Sequence, residues 1–126
     1  MKHMIIAAAM TVLAGAALAD PVEGTWKTQV DDGAFAHVAM TKCGSKICGT
    51  IAKAFDANGP IASKNIGKKL VWDMVPGGDG TYASGKIWQP STDKVFKSKM
   101  ALSGNKLNVS GCVGPFCKKQ TWSRVN

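Results

Sequence analysis

Short segments in which apolar and polar residues alternate follow one another along most of the chain. Such period-2 alternation is typical of β-strands with one buried face, and no sustained 3.6-residue period of a long amphipathic helix follows the N-terminal segment. The alternation is clearest where Phe96, Ser98 and Met100 are separated by lysines. The pattern predicts eight strands, at about 24–28, 34–42, 47–55, 69–75, 81–89, 95–102, 106–112 and 118–125.

Turn-forming residues separate these segments. Clusters of Asp, Gly, Pro, Ser and Asn at 31–33, 76–80, 90–93 and 103–105 predict tight turns. Consecutive strands joined in this way form an antiparallel meander, and eight of them can close into an up-and-down barrel that has no exposed edge. We therefore predict an all-β, eight-stranded antiparallel up-and-down barrel. Only the connection 56–68 is long, and it is the best candidate for a lid or a partner-binding loop.

The first 19 residues have the organisation of a secretory signal peptide. Lys2 precedes an apolar run at 4–13, and Ala17 and Ala19 form a small-x-small cleavage site. A membrane-spanning helix is the weaker interpretation, because the apolar run is short and no charged stop-transfer segment follows it. Cleavage after Ala19 leaves 107 residues, 20–126, as one β-barrel domain. The mature chain is expected to be periplasmic or secreted, and not membrane-spanning.

Four cysteines occur in two pairs, "CGSKIC" and "CVGPFC". A redox site would show C-x-x-C, and the spacing together with a single histidine in the mature chain argues against zinc. Each pair brackets a predicted hairpin turn, and an oxidising compartment permits disulfides. Proximity favours Cys43–Cys48 and Cys112–Cys117. A crossed pairing remains open, since loop entropy assigns about 2 kcal/mol to a six-residue loop and about 4 kcal/mol to a loop of about 70 residues.

The net charge indicates anionic partners. Removing Lys2 leaves 15 Lys and Arg against 8 Asp and Glu, a net charge of +7. Phospholipid head groups, another anionic envelope component or an acidic periplasmic protein would be attracted by this charge. The lysines are scattered along the chain, so solubility of the strand faces is the simpler explanation. Nucleic acid is not an expected partner of an exported protein.

Catalytic constellations are missing from the sequence. His37 is the only histidine after the signal peptide, and it is expected to face solvent, opposite Val38 and Met40. The acidic residues lie mostly in turns, and no phosphate-binding glycine loop occurs. We predict no catalytic residue, cofactor or metal, and therefore a protein that is not an enzyme.

The predicted inner face of the barrel is apolar. A barrel of eight strands can hold one small ligand or be filled by its own side chains, and aromatic residues and methionines make adaptable pockets. Tyr82 and Trp88 are expected on the outer face with Lys86, as an exposed aromatic and basic patch. The candidate ligand-binding residues on the inner face are Phe55, Trp72, Met74, Ile87, Phe96 and Met100.

Four segments together resemble a known family. "GTWKT", "CGSKICGTI", "SGKIWQPSTDKVFKSKMALSGNKLNVSGCV" and "CKKQTWSRV" are similar to the domain-of-unknown-function 2147 family of small exported bacterial proteins. The resemblance extends from Gly24 to Val125, and it implies a lipocalin-like (calycin-like) barrel. It assigns no reaction and no ligand. The long connection and "NIGKKLVWDM" depart from the commoner family form, so ligand specificity is expected to differ.

A wider resemblance concerns the closure of the barrel. Lipocalin-like proteins place Gly-x-Trp on the first strand and an arginine on the last, which here are Gly24, Trp26 and Arg124. With Trp122, these residues are expected to tie the two strands together. An arginine over an indole contributes about 0.5–2 kcal/mol.

Two functions are compatible with these features. The first is a periplasmic binding protein that carries or senses a small amphipathic or anionic molecule inside the barrel. The alternative is a protein-interaction module, an inhibitor or an envelope-assembly accessory, that uses the basic surface and the 56–68 connection.

Overall fold

A computed structural model describes residues 19–126 as one antiparallel sheet. The predicted signal peptide, apart from Ala19, lies outside the described residues. The strands are β1 (Gly24–Lys27), β2 (Phe35–Cys43), β3 (Lys46–Asp56), β4 (Gly59–Ile61), β5 (Lys69–Gly78), β6 (Thr81–Gln89), β7 (Lys94–Ser103), β8 (Lys106–Val113) and β9 (Phe116–Arg124).

The sheet closes on itself. β1 pairs with β2 on one side and with β9 on the other. From β9 the order continues through β8, β7, β6 and β5 to β3, and β3 pairs with β2 to complete the ring. Short β4 lies outside the ring and pairs only with the end of β3. Eight strands therefore form a closed antiparallel barrel with one added strand, which confirms the predicted fold class. The eight predicted strands correspond to β1–β3 and β5–β9.

The long connection contains more structure than its sequence predicts. Gly59–Ile61 folds back as β4, because residues 54–56 of β3 extend beyond the pairing with β5 and offer backbone groups on that side. Further along, the Gly67 N–H donates to the Ile51 carbonyl (2.8 Å), and the Ile51 N–H donates to the Lys68 carbonyl (2.9 Å). Both ends of the connection are thus fixed to β3. Its role as a lid or partner-binding loop stays a prediction.

Both cysteine pairs form local disulfides. Cys43–Cys48 joins the ends of β2 and β3 with a Cα–Cα distance of 5.8 Å. Cys112 and Cys117 are direct cross-strand partners in the β8–β9 hairpin, 4.0 Å apart at Cα. The favoured local pairing is therefore present, and the crossed one is not.

The two ends of the barrel differ in packing. At one end, which we call the closed end, are the β2–β3, β5–β6 and β7–β8 turns, and side chains fill the interior there. At the other, the open end, lie the β1–β2, β6–β7 and β8–β9 turns and the 56–68 connection. The fully buried side chains of the core are Val22, Trp26, Val38, Val71, Met74, Leu107, Val109 and Trp122.

Candidate functional site

A cavity of about 500 Å³ occupies the open end of the barrel. It lies between the β1–β2 loop, Leu70 near the start of β5, Phe96 near the start of β7, the end of β6 and the β8–β9 hairpin. Its walls are mainly apolar, and the apolar side chains that line it are Val30, Leu70, Ile87, Trp88, Phe96, Val113, Phe116 and Trp122.

Gly111 of β8 lies at the boundary between the packed core and the cavity. On β8, Leu107 and Val109 point inward and are fully buried, and Gly111 is the next residue on that face. A Cβ atom at Gly111 would lie 3.5 Å from Ile87 Cγ2 and 3.6 Å from Phe96 Cβ, which is ordinary contact. A small side chain would therefore fit, and a large one would enter the cavity. The missing side chain leaves this part of the barrel empty.

Polar groups of β9 face the same cavity. The inner face of β9 runs from buried Trp122 through Gln120 and Lys118 to Phe116, by strand alternation. The Trp122 Nε1–H donates to Gln120 Oε1 at 2.6 Å, so both side chains are held in place. Lys118 is exposed and therefore presents a cation at the edge of an apolar cavity.

The rim of the cavity is cross-linked by hydrogen bonds. Asp31 Oδ2 accepts hydrogen bonds from Ser91 Oγ (2.8 Å) and Gln89 Nε2 (3.3 Å), which ties the β1–β2 loop to the β6–β7 turn. Trp88 Nε1 donates to Asp93 Oδ1 at 2.9 Å. The Lys68 ammonium lies 5.5 Å from the centroid of the Trp88 ring, so this cation is next to a residue of the cavity wall.

A smaller cavity of about 320 Å³ adjoins the first. Asp31, Leu70 and Pro90 line both cavities, so the β1–β2 loop stands between them. Ile61 and Ser63 contribute to the wall of the smaller cavity. The 56–68 connection therefore borders the open end without covering the larger cavity.

The structure divides the six predicted ligand-binding residues into three groups. Ile87 and Phe96 are cross-strand partners, and both line the larger cavity. Met74 and Met100 point inward as expected, but they belong to the filled core of the closed end. Phe55 and Trp72 are absent from the core and from the walls of both cavities.

The expected inward placement of Phe55 and Trp72 is wrong, because strand irregularities reverse the alternation. A bulge between His37 and Val38 in the β2–β3 ladder adds a residue to β3, so Ile51 and Ala54 point inward and Phe55 outward. On β5, Asp73 has a positive φ of 58°. Val71 and Met74 are consequently both buried, and Trp72 lies on the outer face.

An aromatic cluster covers the outer face near this bulge. Phe55 stacks on Phe35 with ring centroids 4.8 Å apart, and the His37 ring lies 4.5 Å from that of Phe55. His37 is on the outer face, as expected, but it is partly buried there. Burial lowers the pKa of His37, and the positive charges of Lys53 and Lys27 lower it further.

The predicted exposed patch of Tyr82 and Trp88 is also corrected. Tyr82 is only 3% exposed and belongs to the core, because Ser84 adopts a φ of 62° within a register shift between Tyr82 and Gly85. Its hydroxyl donates to the Asp20 carboxylate. Burial and this hydrogen bond raise the pKa of Tyr82. Trp88 lines the larger cavity.

Three of the four residues expected to close the barrel, Gly24, Trp26 and Arg124, lie together at the closed end, whereas Trp122 lines the cavity. Arg124 Cζ is 4.4 Å from the centroid of the Trp26 ring, and the two residues are cross-strand partners. The guanidinium also donates to the Pro21 carbonyl (2.7 Å) and the Glu23 carbonyl (3.2 Å). A side chain at Gly24, where φ is 131°, would collide with the carbonyl oxygen of Asn126.

Several lining residues escaped the sequence reasoning. Leu70, Gly111, Gln120 and Lys118 were not predicted as site residues, and Trp122 was predicted only for closure. Continuing the alternation of β8 and β9 to their ends would have identified all of them except Leu70, which lies on β5. An inward glycine alone does not identify a cavity, because at Gly85 the Met74 side chain fills the space, whereas at Gly111 no side chain does.

Within residues 19–126, no three or more His, Cys, Asp and Glu side chains are grouped to hold a metal ion. In that same part of the chain, no helix has both the length and the apolarity needed to cross a membrane.

Known proteins resemble this chain in sequence and in fold. A family model described as "Uncharacterized protein conserved in bacteria (DUF2147)" matches residues 24–124. A solved structure, described as "Protein HP1028 from the human pathogen Helicobacter pylori belongs to the lipocalin family", has a TM-score of 0.67, 19% sequence identity and 83% coverage of each chain. No functionally curated protein matches the sequence. At this identity the structural likeness concerns the fold, and it confirms the lipocalin-like barrel.

Proposed function

Because the chain belongs to the family of uncharacterized bacterial proteins called DUF2147 and folds as a lipocalin-like barrel, we propose that it is a non-enzymatic binding protein for a small amphipathic anion. The ligand occupies the cavity at the open end, with its apolar part among Ile87, Phe96 and Trp122 and its anionic group near Lys118 and Lys68. The single observation that carries this proposal is the apolar cavity with a lysine on its inner face.

The size and lining of the cavity support this ligand class. Small-molecule sites in proteins are commonly about 300–1,000 Å³, mostly apolar, with a few polar groups that orient the ligand. The larger cavity, at about 500 Å³, falls within that range. Each Å² of apolar ligand surface removed from water contributes about 25 cal/mol. The lysines then favour a carboxylate, sulfonate or phosphate over a neutral head group.

The proposed site of action is the periplasm or the extracellular space. The predicted signal peptide supports export, and two disulfides are stable in an oxidising compartment. In such a compartment a soluble carrier can hold a lipid fragment or a similar amphipathic molecule that is poorly soluble in water.

Filling the cavity tests the apolar half of the proposal. We expect the wild type to bind laurate, measured by displacement of the fluorescent anion 1-anilinonaphthalene-8-sulfonate, and Gly111→Leu to lose at least tenfold in affinity. Gly111→Ala is the matched control, because its methyl group fits at contact distance and should leave the cavity open. Equal laurate affinity in wild type and Gly111→Leu would place the ligand elsewhere.

Neutralising the inner lysine tests the anionic half. Lys118→Gln should weaken laurate binding and leave 1-dodecanol binding unchanged, since the alcohol has the same chain without the charge. Lys99→Gln is the matched control, because Lys99 is exposed on β7 and does not line the cavity. If Lys118→Gln weakened the binding of laurate and of 1-dodecanol to the same extent, Lys118 would not interact with the anionic group of the ligand.

A further inference from the structure

The tip of the β8–β9 hairpin has no polar side chain. It consists of Val113, Gly114, Pro115 and Phe116, and all four residues are exposed. Phe116 is 80% exposed and Val113 is 65% exposed, the highest values among the large hydrophobic side chains of residues 19–126. The two are cross-strand partners and thus stand side by side at the end of the hairpin. Their pairing makes one apolar projection from the open end.

The tip is held rigidly by the residues behind it. The Cys112–Cys117 disulfide joins the next cross-strand pair, one residue behind Val113 and Phe116. Ordering a flexible tip upon binding would cost about 1–2 kcal/mol per residue in backbone entropy. The disulfide removes much of that cost, because the hairpin is already fixed before it meets a partner.

Three lysines surround the hairpin behind its tip, and we call them the basic collar. Lys118 and Lys119 follow Cys117 on β9, and Lys97 of β7 is the cross-strand partner of Cys112. At about 3.3 Å per residue along a strand, the collar lies roughly 7–10 Å behind Phe116. Two carboxylates of the open end, those of Asp31 and Asp93, accept hydrogen bonds from Ser91 and Trp88.

We propose that the β8–β9 hairpin docks the protein on an anionic phospholipid surface, with Val113 and Phe116 inserted among the acyl chains and the basic collar at the head groups. Interfacial segments bury their apolar side chains about 5–10 Å deep, which matches the distance between tip and collar. A lysine near an anionic membrane surface contributes about 1 kcal/mol. Insertion and charge therefore act together at one small surface.

The same features disfavour a protein partner or a second copy of the chain. A stable protein interface buries about 800 Å² on each side, whereas the tip of this hairpin contributes two large apolar side chains. A second copy would bring two basic collars together, and its net charge of +7 after loss of Lys2 would oppose association. A lipid surface needs only a small insertion and supplies the opposite charge.

Docking in this orientation turns the cavity mouth toward the bilayer. Val113, Phe116 and Lys118 belong to the cavity lining as well as to the docking surface. A molecule with the amphipathic character of a lipid could pass between membrane and cavity without crossing bulk water. The docking itself does not require an occupied cavity, so membrane binding and ligand binding are tested separately.

Vesicle co-sedimentation of the purified protein tests the proposal. We expect binding to phosphatidylcholine vesicles that contain phosphatidylglycerol, and at least tenfold weaker binding to pure phosphatidylcholine. The double substitution Val113→Ser with Phe116→Ser should reduce binding to the mixed vesicles about tenfold, on the scale of apolar insertion. Val75→Ser is the control, since Val75 is also exposed (39%) but lies near the β5–β6 turn of the closed end.

Two further measurements complete the test. Lys97→Gln with Lys119→Gln should weaken vesicle binding, whereas Lys46→Gln with Lys106→Gln, at the closed-end turns, should not. A Phe116→Trp protein should show indole quenching by brominated lipids beyond that of the wild type. Undiminished binding in both open-end double variants would overturn the proposal. So would a Phe116-dependent dimer that does not bind vesicles.

Discussion

At the closed end of the barrel, the Trp26 indole is fully buried between the first and last strands. Its Nε1–H donates to the Val22 carbonyl at 2.8 Å, and Arg124 covers its ring. The arginine in turn holds the carbonyls of Pro21 and Glu23. The Trp26 side chain therefore contacts both the N-terminal segment and β9, and its removal should affect closure of the barrel.

We expect Trp26→Ala to lower the free energy of unfolding by about 3–5 kcal/mol, the usual range for removing a buried tryptophan. Thermal unfolding followed by circular dichroism measures the loss. Trp26→Phe is the informative control. It removes the hydrogen bond to Val22, but because it keeps a ring beneath Arg124 it should lower the free energy of unfolding less than Trp26→Ala does. An unchanged melting temperature in Trp26→Ala would contradict the closure role of this residue.

His37 offers a second residue-scale prediction, concerning pH. Its folded-state pKa lies below the ordinary value of 6.5, through burial first and then through Lys53 and Lys27. Protonation therefore favours the unfolded state, so stability is full above pH 6.5 and decreases as the pH falls below it. His37→Gln should remove this part of the pH dependence.

The His37 titration can be observed directly, because it is the only histidine in residues 20–126. Its ring signals in a nuclear magnetic resonance titration should move with a midpoint below 6.5. A midpoint at or above 6.5 would mean that the aromatic cluster does not shield the ring, and the expected loss of stability at low pH would then disappear.

At the scale of the strand, regular alternation sets the limit of prediction from sequence. The eight barrel strands were found because turn residues mark their ends and apolar residues recur with period two. The inner face was assigned correctly where strands are regular, as for Phe96 and Met100 on β7. It was reversed for Trp72 and Tyr82, where Asp73 and Ser84 adopt positive φ values.

These irregularities leave little trace in a single sequence. A bulge depends on how two strands, distant in the chain, pair with each other, and aspartate or serine at a bulge looks like any polar strand residue. The strand β4 was missed for a related reason: it has three residues, and its central Pro60 argues against a strand. Only the pairing with β3 makes it visible.

At the scale of the whole molecule, the barrel combines a filled half with an open half. The closed end contains the large core side chains and the Trp26–Arg124 contact, and it supplies the stability of a small domain. The open end contains Gly111, the cavity and the apolar hairpin tip. Leu70, Ile87 and Trp122 belong to both the core and the cavity wall, whereas the rest of the buried core does not line this cavity, so a ligand at the open end would contact only the edge of the packing that holds the barrel together.

This division yields a prediction for the intact protein. A ligand that binds only the folded state stabilises it by about 2.7 kcal/mol at a concentration of 100 Kd. For a domain of this size, each kcal/mol raises the melting temperature by about 4–8 °C. Laurate at that concentration, below its micelle-forming range, should therefore raise the melting temperature of the wild type by roughly 10–20 °C.

Gly111→Leu should melt near the unliganded wild-type temperature and show no laurate-dependent rise, because its side chain occupies the cavity that the ligand would fill. Gly111→Ala should respond as the wild type does. Circular dichroism at the same laurate concentrations measures all three proteins. An equal rise in Gly111→Leu would mean that laurate stabilises the barrel from its outer surface, and the separation between a filled half and a ligand-binding half would then fail.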